Sequence, residues 1–219
     1  MSDYKLLDLF CGLGGFSAAF EDSGRWEVTT VDLNAEFDPD IVADVCELQP
    51  TDFDQEFDVV LASPPCNCFT IANQGHHVEA GRIKTDRARD SVTLVYHTLG
   101  LIRGLQPRYW FVENPRGHLR KFMPERPRGT VTYCQYGADY QKPTDLWGRH
   151  PSGMSYLSCP PGANCHTQVI GDEDSGAPTV AADRALVPYE LSESIRDACE
   201  SGLDGTAPEQ TELPVIAND

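Results

Sequence analysis

The chain has 219 residues, of which 40% are hydrophobic and 9% aromatic, enough to bury the core of one domain. Its formal net charge is −17, which argues against nucleic-acid binding by the surface as a whole and is typical of halophilic proteins. Because no apolar run approaches the roughly 20 residues that span a bilayer, and because the start lacks a secretory signal, we predict a cytoplasmic protein with no membrane partner. In that compartment the eight Cys fit free thiols, catalytic groups or metal ligands better than a disulfide framework.

The hydrophobic pattern predicts strands that alternate with helices. Along the chain, strands are predicted at 4–10, 26–32, 41–45, 57–63, 108–114 and 130–137, and helices at 16–24, 86–105 and 188–199. This alternation predicts an α/β fold with a doubly wound, mostly parallel, Rossmann-like sheet.

The charge is distributed unevenly. Residues 82–128 hold 11 Lys and Arg against four Asp and Glu, a net charge of +7 within an acidic chain. Such a basic segment predicts a surface for a polyanion. The alternative is that these Arg side chains pair with nearby acids.

A glycine-rich turn follows the first predicted strand. Gly12, Gly14 and Gly15 allow a tight turn and close approach of a ligand to main-chain N–H groups. Asp32 ends the second strand, where a carboxylate can accept from ribose hydroxyls, and Asp44 ends the third, where it could accept from an adenine amino group. Together they predict an adenosine site, although a tight connection, a helix cap or a surface acid would each fit one of these residues alone.

Two reactive side chains follow later strands. Pro64 and Pro65 fix the chain direction, so that Cys66 is held at a strand end, where it could act as a nucleophile. The alternative is a metal or redox pair with Cys68. Glu113 closes the next strand, and burying it there is costly unless it has a function or an Arg partner.

The segments LDLFCGLGGFS, SPPCNCFT and WFVENP, in this order, resemble the signature blocks of cytosine carbon-5 DNA methyltransferases. The resemblance is close over 4–20, 57–71 and 108–117, and looser over 130–148 and 186–196. It implies the Rossmann-like fold of class I S-adenosylmethionine-dependent methyltransferases, with S-adenosylmethionine and DNA as binding partners. The compact ending resembles small phage, prophage or haloarchaeal members, and a restriction-modification setting is implied.

The resemblance also assigns roles to residues. It makes Cys66 the nucleophile that adds to carbon 6 of a flipped cytosine, and it places Glu113 at ring nitrogen 3. The implied cofactor site comprises Phe10, Gly12, Leu13, Gly14, Gly15, Asp32, Leu33, Asp44, Val45 and Pro64. The predicted substrate and DNA contacts are Asn67, Arg82, Lys84, Arg87, Arg116, Gln135 and Lys142. In the final block, Ser192 or Ser194 could contact the methionine end of the cofactor or be ordinary helix-surface serines.

The sequence departs from the family in two respects. The usual Gln-x-Arg-x-Arg block is missing, and Gln135 or Lys142 could replace its Arg. The target-recognition region is short, so the enzyme reads a short site or depends on a recognition partner or oligomer. We divide the chain into a catalytic domain at 1–148, a reduced recognition region at 149–186, a returning helix at 187–199 and a disordered acidic tail at 200–219.

Cys159, Cys165 and His166 lie in the reduced region and could bind zinc, with Cys134 as a fourth ligand. Their spacing matches no standard zinc block, and free thiols are the more common interpretation.

Three other functions stay open. The same blocks resemble tRNA cytosine methyltransferases of this fold, so RNA is an alternative substrate. The chain could instead be a DNA-binding subunit with an inactive catalytic fold, although such a module would need neither Cys66 nor Glu113. A Rossmann oxidoreductase is less consistent, because the turn lacks the full glycine fingerprint.

Overall fold

The computed structural model describes residues 2–71, 75–160, 162–167 and 185–205. In this part of the chain, a seven-stranded sheet has the order β3-β2-β1-β4-β7-β9-β8, and β5 and β6 form a separate hairpin. The strands are β1 (Tyr4–Leu9), β2 (Trp26–Asp32), β3 (Ile41–Val42), β4 (Val59–Ala62), β5 (Val78–Glu79), β6 (Arg82–Ile83), β7 (Tyr109–Pro115), β8 (Gly129–Thr132) and β9 (Pro143–Arg149). In the large sheet β9 runs antiparallel to β7 and β8, and the other pairings are parallel.

Helices cover both faces of the sheet, as predicted for a doubly wound fold. On one face α1 (Ala18–Ser23) and α3 (Tyr189–Leu203) pack against buried side chains of β1 and β7, with Phe20 and Ile195 in that core. On the other face α2 (Asp86–Leu105) buries Val95 and Ile102 against β4. The Thr85 side chain starts α2 by accepting a hydrogen bond from the Ala88 N–H.

The chain reverses its direction of sheet growth between β1 and β4. From β1 it winds outward to β2 and β3 on one side, and then crosses to β4 and β7 on the other side. In parallel sheets a ligand binds beside the carboxyl ends of the strands at such a reversal. The loops after β1, β2, β4 and β7 are therefore the ones that the fold brings to a shared site.

The structure differs from the prediction at several elements. The predicted strand at 41–45 ends at Val42, so Asp44 follows the strand, and Val45 begins a 3₁₀ turn. The sequence pattern predicts no helix or strand at 143–149, but this segment forms strand β9. The predicted strand at 130–137 ends at Thr132, and Tyr133–Gln135 form a 3₁₀ turn. Helix α3 continues past residue 199 into the predicted tail because Glu200 accepts hydrogen bonds from Trp26 Nε1 (2.8 Å) and Arg25 Nη1 (3.1 Å).

Two predictions fall partly outside the described residues. These are the predicted recognition region, of which residues 161 and 168–184 are not described, and the predicted tail, which is not described from residue 206 onward. The helices of the described ranges are too short or too polar to cross a membrane. The cytoplasmic location and the halophilic habitat stay predictions.

Candidate active site

The turn after β1 is held open by left-handed backbone conformations. Phe10, Gly12 and Gly14 have φ values of 62°, 52° and 76°. A Cβ atom at Gly15 would lie 2.6 Å from Leu186 Cδ1 and 2.7 Å from the Val187 carbonyl oxygen. The segment before α3 therefore closes over the glycine turn, as the resemblance implied for the final block. The resulting cleft is lined by Phe10, Gly12, Leu13, Gly15, Phe37, Ser63, Leu186 and Val187.

Asp32 connects the end of β2 to this turn. One of its carboxylate oxygens accepts from the Gly12 N–H (3.0 Å), and the other accepts from the Asn34 N–H (2.9 Å). Each carboxylate oxygen has further lone pairs, so Asp32 can orient the turn and still accept from a ligand hydroxyl. Leu33 follows it with an exposed side chain.

The second predicted cofactor acid has a local role. Asp44 caps a 3₁₀ turn by accepting from the Cys46 N–H (2.9 Å), which is one of the alternatives that the sequence left open. Val45, the first residue of that turn, is buried in the core. A contact between either residue and an adenine stays a prediction.

Two buried polar side chains lie near the cleft. Ser63 lines the cleft, and its hydroxyl oxygen makes no hydrogen bond with another described residue. Asp8, on β1, is fully buried. Neither of its carboxylate oxygens has a described partner at an ordinary hydrogen-bond distance, and its interaction with the Ser17 hydroxyl offsets only part of the effect of burial on its pKa. Burial raises the pKa of Asp8 to about 7, so a large fraction of this carboxyl is neutral at physiological pH. An unpaired buried hydroxyl at a cleft wall is suited to hydrogen-bonding a polar ligand.

Cys66 lies at the start of a tight turn after β4. Its carbonyl oxygen accepts from the N–H groups of Phe69 (2.8 Å) and Thr70 (3.2 Å), and its side chain is half-buried. Asn114, near the end of β7, donates from Nδ2 to the buried Pro64 carbonyl at 2.9 Å. This contact ties the Cys66 loop to the strand end that carries Glu113, because β4 and β7 are adjacent parallel strands.

The loops after β4 and β7 also meet beyond Asn114. The His118 N–H donates to the Phe69 carbonyl at 2.7 Å, and a Cβ atom at Gly117 would lie 2.2 Å from that same oxygen. Gly117 is therefore needed for the close approach of the two loops.

Glu113 is 4% exposed and has two polar partners. Tyr133 Oη donates to Glu113 Oε1 at 2.8 Å, and Lys142 Nζ lies 3.6 Å from the same oxygen. Lys142 also donates to Tyr133 Oη at 3.2 Å. Burial, together with the neighbouring Glu113, raises the pKa of Tyr133 well above 10, so its hydroxyl stays protonated and donates. Glu113 is thus held by a buried tyrosine and a buried lysine.

Sequence reasoning missed Tyr133, Asn114 and Ser63. Tyr133 looked like a core aromatic of a strand, and nothing in TVTYCQYG distinguishes it from one. Its role depends on the 3₁₀ turn after β8 and on the pairing of β8 and β9, which brings residues 132 and 143 together.

The two candidates for the missing Arg lie in different surroundings. Lys142 contacts Glu113, as described above. Gln135 instead lines a cleft that faces α3, together with Ser194 and Asp197. Ser192 is buried, and its hydroxyl donates to the Phe16 carbonyl at 2.7 Å and accepts from the Ala19 N–H of α1 at 3.2 Å, so it is not a helix-surface serine but joins α3 to α1.

The remaining predicted DNA contacts follow carboxyl ends of strands. Asn67 and Arg116 are exposed in the loops after β4 and β7, and Arg87 is exposed in the first turn of α2. Arg82 is exposed on β6. Lys84 pairs with Glu79 at 3.2 Å and so carries part of its charge in a local ion pair. Asn67 and Arg116 therefore lie at the same end of the sheet as Cys66, and a DNA contact by any of these residues stays a prediction.

The structure also brings the four predicted metal ligands together. The ligand atoms of Cys134, Cys159, Cys165 and His166 all lie within 4.8 Å of one another. The cysteines are free thiols. This cluster is distinct from the cleft and from the residues around Glu113.

The strand order and the reversal beside the glycine-lined cleft define a Rossmann-like α/β fold. Residues 4–122 match the family model described as C-5 cytosine-specific DNA methylase. The chain is 34% identical over 155 residues to a "Probable DNA (cytosine-5)-methyltransferase" of Frog virus 3 (isolate Goorha). The chain belongs to the C-5 cytosine-specific DNA methylase family.

The matches differ in how much of each relative they cover. The viral match covers 65% of this chain and 69% of the relative. The type II methyltransferases M.HaeII of Haemophilus aegyptius and M.NgoBI of Neisseria gonorrhoeae are 26% and 29% identical to the chain, over 52% and 51% of its length. The matches cover 35% and 34% of those two relatives. The chain thus spans about a third of the type II enzymes that it matches.

Proposed function

We propose that the protein methylates carbon 5 of cytosine in DNA, with S-adenosylmethionine as the methyl donor. One observation carries this proposal. The Asn114–Pro64 hydrogen bond joins the loop that holds Cys66 to the end of β7 that holds Glu113, beside the glycine-lined cleft. Membership of the family supports the same chemistry.

The reaction needs a nucleophile because carbon 5 of cytosine is too weak to attack a methyl group by itself. The Cys66 thiolate adds to carbon 6, and Glu113 protonates or hydrogen-bonds ring nitrogen 3, so that carbon 5 becomes the carbon of an enamine. S-adenosylmethionine supplies an electrophilic methyl group. After carbon 5 has taken the methyl group, a base removes its proton and the carbon–sulfur bond to Cys66 breaks. In a duplex, carbons 5 and 6 of cytosine are stacked between neighbouring bases, so the cytosine must be flipped out to reach Cys66.

Lys142 and Tyr133 are the residues that we assign to orient and polarise Glu113. Both contact Glu113 Oε1 in a buried setting, where electrostatic interactions are strong. Lys142 thereby supplies the cation that the family usually takes from Arg. We assign Gln135 no part in this arrangement.

The cofactor assignment is supported by the shape and polarity of the cleft. The left-handed turn places Gly12, Leu13 and Gly15 in the wall of the cleft, Asp32 presents acceptors, and Ser63 adds a hydroxyl with no partner among the described residues. These are features that an adenosine with a ribose and an amino-acid tail would use.

Methyl transfer assays test the proposal. Purified protein is incubated with S-adenosylmethionine carrying a labelled methyl group and with either duplex DNA or tRNA. Bisulfite sequencing of DNA from an expressing host then identifies the methylated context. We expect label in DNA at carbon 5 of cytosine. Label in tRNA alone would favour the RNA alternative, and DNA binding without any transfer would favour an inactive binding subunit.

The nucleophile is tested with Cys66→Ser, and the exposed Cys46→Ser serves as the matched control. We expect the Cys66 variant to bind S-adenosylmethionine like the wild type and to lose methyl transfer by at least about 10³-fold, because a hydroxyl is far less nucleophilic than a thiolate. The Cys46 variant should keep its activity. Retained transfer by Cys66→Ser would refute the assignment.

A further inference from the structure

A cluster of three cysteines and one histidine lies outside the catalytic residues. Cys165 Sγ is 3.3 Å from Cys159 Sγ and 3.5 Å from Cys134 Sγ. His166 Nδ1 lies 3.7 Å from Cys159 Sγ and 3.6 Å from Cys165 Sγ. The ligand atoms of all four residues lie within 4.8 Å of one another.

The spacing of these atoms suits a tetrahedral zinc ion. With zinc–sulfur distances of about 2.3 Å and zinc–nitrogen distances of about 2.0 Å, tetrahedral angles place two sulfurs about 3.8 Å apart and a sulfur and a nitrogen about 3.5 Å apart. The two sulfur–nitrogen distances given above, 3.7 and 3.6 Å, lie close to this value, and the two sulfur–sulfur distances, 3.3 and 3.5 Å, are a few tenths of an ångström shorter than theirs. Small movements of the side chains would complete the coordination.

The fold holds the cluster in place through main-chain contacts. The Thr132 N–H donates to the Leu157 carbonyl at 2.9 Å, and the Cys159 N–H donates to Thr132 Oγ1 at 3.1 Å. The Thr167 N–H then donates to the Asp139 carbonyl at 3.0 Å. Segments on both sides of the Cys165–His166 pair are thus anchored beside Cys134 before any metal binds. An anchored set of ligands loses less conformational entropy when it binds an ion.

We propose that Cys134, Cys159, Cys165 and His166 bind a structural zinc ion. Three thiolates and one imidazole form a soft donor set that favours zinc, and four protein ligands leave no position open for catalysis. A disulfide would use two of the four groups and would leave the other two unexplained. The proposal does not depend on the methyltransferase activity, because none of the four ligands contacts Glu113 or lines the glycine-rich cleft.

The location of the zinc site gives it a structural role. Cys134 directly follows Tyr133 in the 3₁₀ turn after β8, and Tyr133 donates to Glu113. Zinc bound at Cys134 would connect this turn to the segment 157–167. The ion would therefore stabilise both the start of the reduced recognition region and the turn that presents Tyr133 to the active site.

Metal analysis of the full-length protein tests the proposal. Protein is expressed with zinc in the medium, purified with a reductant and without chelators, and analysed by mass spectrometry of its metals. We expect about one zinc ion per chain in the wild type and in Cys46→Ser, and at least a roughly tenfold lower content in Cys165→Ser. Cobalt substituted for zinc should show the intense visible bands of a tetrahedral, thiolate-rich site.

A second measurement covers the case in which Cys165→Ser does not fold. Folded wild-type protein is treated with a mercurial thiol reagent while a chromophoric chelator reports released zinc, and about one ion per chain should appear. A wild type that releases no zinc, or that carries a Cys159–Cys165 disulfide or iron in place of zinc, would overturn the proposal. Full zinc content in Cys165→Ser would do the same.

Discussion

At the scale of single residues, Lys142 is the side chain whose substitution most directly tests the arrangement around Glu113. Its ammonium lies 3.6 Å from Glu113 Oε1 and donates to Tyr133 Oη. We expect Lys142→Gln to lower kcat by roughly 10²-fold, since losing one preorganised electrostatic partner costs about that much in other enzymes. The KM for S-adenosylmethionine should change little. Lys142→Arg should recover part of the rate because it restores the positive charge.

Single-turnover kinetics on duplex DNA measures this effect. Lys5→Gln is the control, because Lys5 lies at the opposite end of the sheet, on β1, where its ammonium donates to Gln55 Oε1 at 2.8 Å. If Lys142→Gln and Lys5→Gln have the same rate, Lys142 has no part in catalysis. If Lys142→Gln instead raises the KM for S-adenosylmethionine alone, the lysine supports the cofactor site.

At the scale of elements, the closing of the segment before α3 over the glycine turn can be tested with one methyl group. In Gly15→Ala the added Cβ would meet Leu186 Cδ1 and the Val187 carbonyl oxygen at less than 3 Å, and the carbonyl belongs to the backbone. We expect a loss of about 1–3 kcal/mol in the free energy of unfolding. We also expect roughly tenfold weaker binding of S-adenosylmethionine, because the segment forms one wall of the cleft.

Urea unfolding and calorimetric titration with S-adenosylmethionine measure these two quantities. Gly100→Ala makes the same chemical change inside α2, where a Cβ atom would meet nothing within 4 Å. It should stabilise the protein by up to about 1 kcal/mol, because alanine favours a helix more than glycine does. Wild-type affinity and stability in Gly15→Ala would show that the segment does not close the site.

The elements that carry the site were predictable, and β9 was not. The strands before Cys66 and at Glu113 have apolar runs followed by Pro, and the strand that ends at Asp32 is rich in β-branched residues, so these signals are local. Strand β9 contains Asp145, which is fully buried. Its carboxylate accepts hydrogen bonds from Arg120 Nε (2.6 Å) and Nη2 (2.5 Å). An aspartate at the centre of a strand predicts a loop unless its distant partner is known.

Gly148 shows a second reason why β9 was not predictable. It has a φ of 145°, and a Cβ atom there would lie 1.8 Å from the Trp110 carbonyl oxygen on β7. The glycine is therefore required by the close approach of a neighbouring strand. In the sequence alone the same glycine indicates a break in the strand. Contacts between segments far apart in the sequence thus determine strand β9 and the partners of Glu113. The local hydrophobic pattern of the sequence does not show such contacts.

At the scale of the whole molecule, the basic segment 82–128 does not form one surface. Helix α2 begins near the carboxyl ends of the parallel strands. It ends just before β7 starts, and therefore near the amino ends of those strands. Arg87 therefore lies near the active site, whereas Arg103 and Arg108 lie at the far edge. Arg120 is paired with Asp145. The alternative of local pairing is thus correct for part of the segment, and fewer bases than its net charge suggests are available to DNA.

The salt dependence of DNA binding tests this division of the charge. Each phosphate contact lowers the slope of log K against log salt by about 0.9, so Arg87→Gln should make the slope shallower by about one unit and weaken binding. Arg103→Gln removes the same charge about 24 Å farther along α2, well beyond the Debye length of about 8 Å at physiological salt, and should leave the slope unchanged. Binding to a fluorescent duplex, measured over a salt series, gives all three slopes. Equal slopes for the two variants would mean that DNA does not approach the protein along the edge that carries Cys66, because Arg87 and Arg103 differ chiefly in their distance from that edge.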